Sequence, residues 1–442
     1  MTKTSFYTKK KMINIIAVFW IVVSMILIES ITAYAVVNPL PSNESTGISY
    51  IVYECDTKQT LLKQNADLPA DCSLLARLMT CLLVLENQSI SVTDYISPSE
   101  DSISASGRYT LLASNQYMVD HLIKSVILCN ADNAARALAS HVNPNTEYFI
   151  SIMNQKAKEL GMNNTFFINP DGTADQLQRT TIHDMSLFWS YAMTNTQFRN
   201  IAANSAAHIW GGTAVLNECR MVSNNPFPSA SLTAGSYNVY DSINGLGTTM
   251  FYITNKISET MPSVKLTLII TGASTDSSYE LGKNYINNVL SNFKKTTLIS
   301  KQDLVVSAEI GGSELILNAG ETCYCMMPVD ITNYVENISY TIIDKNAPDS
   351  MPGKTLSLEE LSPPIEEGSV IGTANYLLKD GSVHKVNLIA GNSIHFENKT
   401  INIFYKVIKE NTDIFILISV LVLCELILAF CVIFNKLRTS KL

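Results

Sequence analysis

Ser291-Asn292-Phe293-Lys294 and Ser382-Val383-His384-Lys385 each place a serine three residues before a lysine, the spacing at which an amine one helical turn away can accept a nucleophile's proton. Neither stands on a helix start. The first lies where one kind of patterning gives way to another, and the second lies inside an alternating strand pair. Nine cysteines form no Cys-x-x-Cys pair and six histidines form no His-Glu-x-x-His arrangement, so no metal-ligand set is implied and no cofactor is expected. Cys72 and Cys129 stand near helix ends, where a thiol pKa can fall, but neither has a His or Lys base beside it.

The elements that would carry such groups fall into two regions. From Ile48 to about Phe293 short strands alternate with long helical stretches. Ile48 to Glu54 reads as a strand, Cys55 to Lys58 as a turn and Gln59 to Lys63 as a returning strand, with Asp71 as the N-cap of a following helix. Leu74, Leu75, Leu78, Met79, Leu82 and Leu83 recur at helical spacing on most sides of that helix, which predicts a central, buried position. From about Leu304 to Ile394 the chain reads as successive strands, with Lys379-Asp380-Gly381-Ser382 as a hairpin turn. An α/β domain over 45–295 and an all-β domain over 301–395 are expected.

Composition and the two ends set the compartment. The chain has 442 residues, 47% apolar and 16% charged, with a net charge of −8. That excludes intrinsic disorder, and with no basic cluster away from the termini it excludes a nucleic-acid partner. Lys9 to Lys11 precede an apolar run from Met12 to Ile28, and Ala33-Tyr34-Ala35 offers a cleavage site, so 1–35 reads as a signal peptide or, if uncleaved, an anchor. Ile414 to Phe434 is apolar and long enough to span roughly 31 Å at 1.5 Å per residue. Lys436, Arg438 and Lys441 follow it, which predicts a single-pass transmembrane helix over 414–434, a cytoplasmic tail over 435–442 and an extracytoplasmic ectodomain. Glu425 within that span is either neutral or a helix–helix contact. The seven ectodomain cysteines are odd in number and dispersed, so no disulfide framework is implied.

The succession of strand, turn, strand, Asn65-Ala66-Asp67 and helix closely resembles the serine-type D-Ala-D-Ala carboxypeptidases, the low-molecular-mass penicillin-binding proteins that trim peptidoglycan stem peptides. The stretch Phe149 to Met185 is similar to that family's long signature, with Met153-Asn154, Leu160-Gly161-Met162, Asn169-Pro170, Gly172 and Asp184-Met185 in place. Pro363 to Gly391 resembles the family's C-terminal β-sandwich. The resemblance implies a penicillin-binding/β-lactamase-like α/β (α+β) domain with an antiparallel sheet and helices, followed by a small all-β sandwich. It also implies three motifs converging on one groove: Ser-x-x-Lys with the nucleophile, Ser-x-Asn for proton transfer, and Lys-Thr-Gly for the terminal carboxylate.

None of the three is intact. The first aligns with Leu74-Leu75-Ala76-Arg77, so the nucleophile's place holds a leucine and the base's place an arginine, which at a pKa above about 12 cannot accept the proton. Shifting the register to Ser73 finds Ala76 in place of a lysine. The second motif aligns with Asn130-Ala131-Asp132, where the hydroxyl is gone and an anion is added; Asp132 either pairs with Arg77 or is an unrelated charge. Ile243-Asn244-Gly245-Leu246 resembles the lead-in of the third, which puts Gly247-Thr248-Thr249 in place of Lys-Thr-Gly and leaves no cationic anchor. The expectation is a membrane-anchored pseudoenzyme binding or scaffolding at peptidoglycan, its partner a stem peptide or an envelope protein. The alternative is an active carboxypeptidase using unconventional residues.

Overall fold

The computed structural model describes residues 47–103, 109–256, 261–310, 312–343 and 363–395, together with 355–356, 358, 361, 416, 420–423 and 425–430. By packing, the chain divides into two units. The first takes the described residues up to Leu298 and adds Tyr324–Asn337 and Leu377–His384, and the second takes Ile299–Cys323, Ile338–Tyr376 and the chain from Lys385.

The first unit is built on a five-stranded antiparallel sheet. Its strands are β1 (Ser49–Glu54), β2 (Gln59–Gln64), β3 (Leu232–Asp241), β4 (Leu246–Asn255) and β5 (Val264–Ala273), in the spatial order β2-β1-β5-β4-β3. The period-2 alternation of strands sends neighbouring residues to opposite faces. Ile51 and Ile269 join one core, while Tyr50, Val52, Leu268 and Ile270 join the other. Both faces are covered, so β5 is buried along most of its length.

On one face lie α1 (Ser73–Glu86), α2 (Val119–Cys129), α3 (Asp132–Val142), α4 (Thr146–Glu159) and α5 (Ile182–Ala192). Helix α1 is buried continuously from Leu74 to Val84, because its apolar residues occupy every side of the helix rather than one stripe. On the other face α6 (Thr275–Asn292) contributes Tyr285, Ile286 and Val289, with Tyr285 stacked on Tyr50 at 4.1 Å between ring centroids.

Past α6 the described residues as far as 395 form mainly strands, among them β6 (Phe293–Ile299), β7 (Leu304–Ile310), β8 (Ser313–Ala319), β9 (Cys323–Pro328), β10 (Val335–Ile343), β11 (Val370–Leu378) and β12 (Val383–Ala390). The turn expected at 379–382 joins β11 to β12, with Gly381 at φ +81°. Cys323 and Cys325 lie on β9.

Among the described residues no helix is long and apolar enough to cross a membrane. The expected signal segment 1–35, the tail 435–442 and about half of 414–434 lie outside the described residues, while 416, 420–423 and 425–430, Glu425 included, are helical.

Candidate functional site

The site is assembled where the start of α1 meets the α2–α3 joint and β3. Helix α1 begins at Ser73, one residue later than an Asp71 cap would place it. Asp71 still serves the helix end, since its Oδ1 accepts from the Ser73 amide at 3.1 Å and from the Ser73 hydroxyl. The same hydroxyl accepts from Asn238 Nδ2 at 2.9 Å, so Ser73 joins α1 to β3 across 165 positions of sequence. Leu74, next along, is fully buried and points into the core. Cys72 is buried too, and desolvation pushes its thiol pKa up, the reverse of what a reactive thiol needs.

Arg77 follows one turn later and is 6% exposed. Its Nη1 donates to the backbone carbonyl of Asp171 at 3.1 Å, while its Nε is buried without a partner. Burial lowers the guanidinium's pKa, and the fields of Asp132, Asp71 and Asp171 oppose that. The direct pair considered between Arg77 and Asp132 does not form; instead the Asp171 carboxylate is taken by Arg136, whose Nε lies 2.9 Å away. The Asp171 loop is pressed onto α1. Thr80 Oγ1 donates to the Pro170 carbonyl at 2.7 Å, and a Cβ on Gly172, at φ +74°, would lie 2.2 Å from the Ser73 carbonyl oxygen.

At the α2–α3 joint Asn130 adopts a left-handed conformation (φ 59°, ψ 38°) that ends α2. Its Nδ2 donates to Glu218 Oε2 at 2.8 Å and to the Tyr237 carbonyl on β3. Asp132 opens α3 and accepts from the Asn133 amide at 2.9 Å. Desolvation raises the Asp132 pKa, reinforced by Asp171 and opposed by the Asn133 amide and Arg77.

The third expected motif does not join this cluster. Gly247, Thr248 and Thr249 lie on β4, one strand in from the outer strand β3. Thr248 Oγ1 bonds Thr271 Oγ1 of β5 at 2.9 Å, and Thr249 is 2% exposed. Gly247 is needed for a different reason from the one expected of the motif: a Cβ there would meet the Asn238 carbonyl at 2.4 Å and the Tyr237 hydroxyl at 2.6 Å. The lead-in Ile243-Asn244-Gly245 is the tight turn between β3 and β4, with Asp241 accepting from both the Ile243 and Asn244 amides at 3.1 Å and Gly245 at φ +68°. Asn-Gly between two apolar runs is itself the hairpin signal that places the edge strand upstream.

The fold is shared with proteins of known kind. Residues 36–227 match the family of D-alanyl-D-alanine carboxypeptidases. The chain is 29% identical over 143 residues to D-alanyl-D-alanine carboxypeptidase DacF of Bacillus subtilis, a match covering 31% of this chain and 37% of that protein's length. It is 25% identical over 375 residues to D-alanyl-D-alanine carboxypeptidase DacC of Escherichia coli, covering 81% of this chain and 86% of that one. Penicillin binding protein 5 from Haemophilus influenzae has the same fold, with a TM-score of 0.63 at 18% identity over 81% of this chain and 100% of its own. The carboxypeptidase DacD from Francisella tularensis follows with 0.58, 18% identity and coverage of 82% and 96%. Over residues 36–227 the chain is similar to the D-alanyl-D-alanine carboxypeptidases.

Set against that family's motifs, the structure brings together Arg77, Asn130 and Asp132 and turns Leu74 away into the core. Asn238 and Asp171 are part of the cluster although motif spacing singled out neither, and so is Ser73, which the spacing had set aside for want of a lysine at 76. Asn238 faces the helical layer with Ser236, whose hydroxyl donates to the Ile127 carbonyl at 2.8 Å, because the two are separated by one full strand period.

Proposed function

We propose that this chain is a membrane-anchored, extracytoplasmic protein of the carboxypeptidase fold that binds or scaffolds at peptidoglycan without cleaving it. The observation that carries the reading is the start of α1: a core leucine holds the nucleophile's position, and the hydroxyl beside it, on Ser73, is engaged by Asp71 and Asn238 with no lysine or histidine among its described partners. The apolar runs Met12 to Ile28 and Ile414 to Phe434, each flanked by basic residues, support export and anchoring. The aligned motifs lack the serine nucleophile and both lysines, so the ligand is a stem peptide or an envelope protein rather than a covalently held substrate.

One observation favours the alternative of a working hydrolase: Asp71, Ser73 and Asn238 form a carboxylate–hydroxyl–amide line. Against it, Asp71 also accepts the Ser73 amide, as a helix cap does, and neither a lysine nor a histidine stands among the described partners of the Ser73 hydroxyl. Intact-mass measurement of the ectodomain after incubation with excess penicillin decides between them. The expected result is an unmodified mass, and a stoichiometric adduct on Ser73 would promote the alternative.

A further inference from the structure

An apolar cavity of about 300 Å³ opens on the first unit, and no residue of the motif cluster lines it. Its walls are Leu61 of β2, Phe293 at the start of β6, and Pro328, Ile331 and Tyr334 from the end of β9 and the connection to β10. Leu61 and Phe293 belong to the core on the α6 face of the sheet, whereas Tyr334 and Ile331 belong to a small cluster around Cys325 and Leu378. The cavity is the gap between these two clusters.

Polar ties fix both of its sides. Gln59, at the start of β2, accepts from the Met326 amide at 2.6 Å and donates to the Met326 carbonyl at 3.1 Å and to Asp380 at 2.9 Å. The Lys379 amide donates to the Tyr334 carbonyl at 3.0 Å, and Asp380 also accepts from the Ser382 amide at 2.9 Å and hydroxyl at 2.6 Å. The walls are therefore set before anything binds, which lowers the ordering cost of filling the gap.

Size and charge select the occupant. Small-molecule pockets run from about 300 to 1,000 Å³, so a cavity at the bottom of that range suits one large side chain. A D-Ala-D-Ala terminus offers only methyl groups and does not fill it. Lys379 lines the cavity, and Lys58 lines an adjoining depression of about 380 Å³ that shares Thr60, Leu61, Asp380 and Gly381 with it. Among the described residues neither lysine has an ion-pair partner, while Asp380 is committed to Gln59 and Ser382 and Glu336 on the rim is itself partnered. The uncompensated charge at the mouth is positive.

We infer that this cavity receives an aromatic side chain from an acidic segment of another envelope protein, with Lys58 and Lys379 pairing the acids beside the anchor. Aromatic anchors seated in preformed pockets carry most of the affinity of protein interfaces, and charges at the rim set its salt dependence. That the partner is an envelope protein rests on the extracytoplasmic reading proposed above; that the cavity takes an acidic aromatic segment does not. A penicillin adduct on Ser73 would end the non-cleaving reading and leave the cavity untouched, and a cavity that binds nothing would leave that reading standing.

The test uses the purified full chain and a short peptide carrying benzoylphenylalanine between pairs of glutamates, photo-crosslinked and mapped by peptide mass spectrometry. Labels are expected within 59–64, 328–336 and 379–382. An unlabelled competitor with tryptophan at the centre should displace the probe, and one with alanine there, or with lysines as flanks, should need about tenfold more. Raising salt from about 0.1 to 1 M, which shortens the Debye length from roughly 10 to 3 Å, should weaken the acidic peptide. Ile331→Trp, which fills the cavity from its wall, should abolish labelling at an unchanged melting temperature. Lys379→Glu, on the half-exposed rim, tests the same site without touching the apolar walls and should weaken the acidic peptide relative to the lysine-flanked one. Labels confined to other segments, equal competition by the alanine-centred or lysine-flanked peptide, or displacement by a pentapeptide ending in D-Ala-D-Ala would each overturn the assignment.

Discussion

Asp132 sits at the first position of α3, where the helix dipole favours an anion, yet burial outweighs that and raises its pKa. A carboxyl that holds its proton more tightly when folded contributes no penalty at pH values below its unfolded pKa of about 3.9, and a growing one as pH rises through the folded value. Asp132→Asn should accordingly raise the melting temperature at pH 7 and lose that advantage as pH falls towards 4. A gain of equal size at both pH values, or a loss at pH 7, would contradict the sign. Arg77 tells a related story. Its guanidinium is spent on the Asp171 carbonyl and not on Asp132, so a double-mutant cycle of Arg77→Ala with Asp132→Ala should return a coupling below about 1 kcal/mol. Arg77→Ala alone, which empties a buried position, should cost about 2–5 kcal/mol by urea unfolding. A coupling of several kcal/mol would mean that the two charges meet after all.

At the scale of elements, α1 is positioned from outside by the loop 169–173 as much as by its own apolar faces. Pro170 and Asp171 offer their carbonyls to Thr80 and Arg77, and Gly172 fits against the Ser73 carbonyl with no room for a side chain. Gly161 has a similar φ of +77° but open space around it. The two glycines therefore separate backbone strain from steric contact. Gly161→Ala should cost only the left-handed penalty of about 1–2 kcal/mol, whereas Gly172→Ala should cost at least about 1 kcal/mol more and disturb the start of α1. Equal losses in denaturant unfolding would mean that the loop yields freely and does not set the helix.

At the scale of the first unit, distant segments are fastened by buried polar groups near the β1–β2 turn. Lys295 Nζ lies 2.9 Å from Glu54 Oε1 and 2.9 Å from Asp56 Oδ2, and donates to the Ser263 carbonyl at 3.1 Å, with the Lys295 and Glu54 side chains 1% and 0% exposed. Gln59 accepts from the Met326 amide at 2.6 Å and donates to the Met326 carbonyl at 3.1 Å and to Asp380 at 2.9 Å, which holds the returning segments 324–337 and 377–384 in this unit. Lys295→Met leaves Glu54 buried without its cation and should cost about 3–5 kcal/mol. Burial pushes the Asp56 pKa up, but Lys295 and Lys265 together pull it below its ordinary range. Its contribution is therefore present above about pH 3.9 and lost as pH falls through the lower folded value. The wild type should lose stability over that acid range more steeply than Lys295→Met, and parallel acid-unfolding curves would count against the network.

The family resemblance and the opening elements of the first unit were legible in local runs of residues. Apolar spacing alone marked α1 as a central helix, alternation marked β1 and β2, and the signature from Phe149 to Met185 carried the resemblance that the match over 36–227 bears out. These are properties of neighbours a few positions apart, where chain geometry leaves little choice. What borders the groove was decided by the tertiary structure. Whether β3 or β4 is the edge depends on sheet order, and the Asn-Gly turn, taken as a motif's lead-in, turned out to join the two strands. Ser73 and Asn238 meet across 165 positions, and Arg77 chose a backbone carbonyl over a nearby carboxylate. Such pairings follow from strand register and from which polar groups are left unpaired when the layers close, and neither is written in the spacing of any one segment.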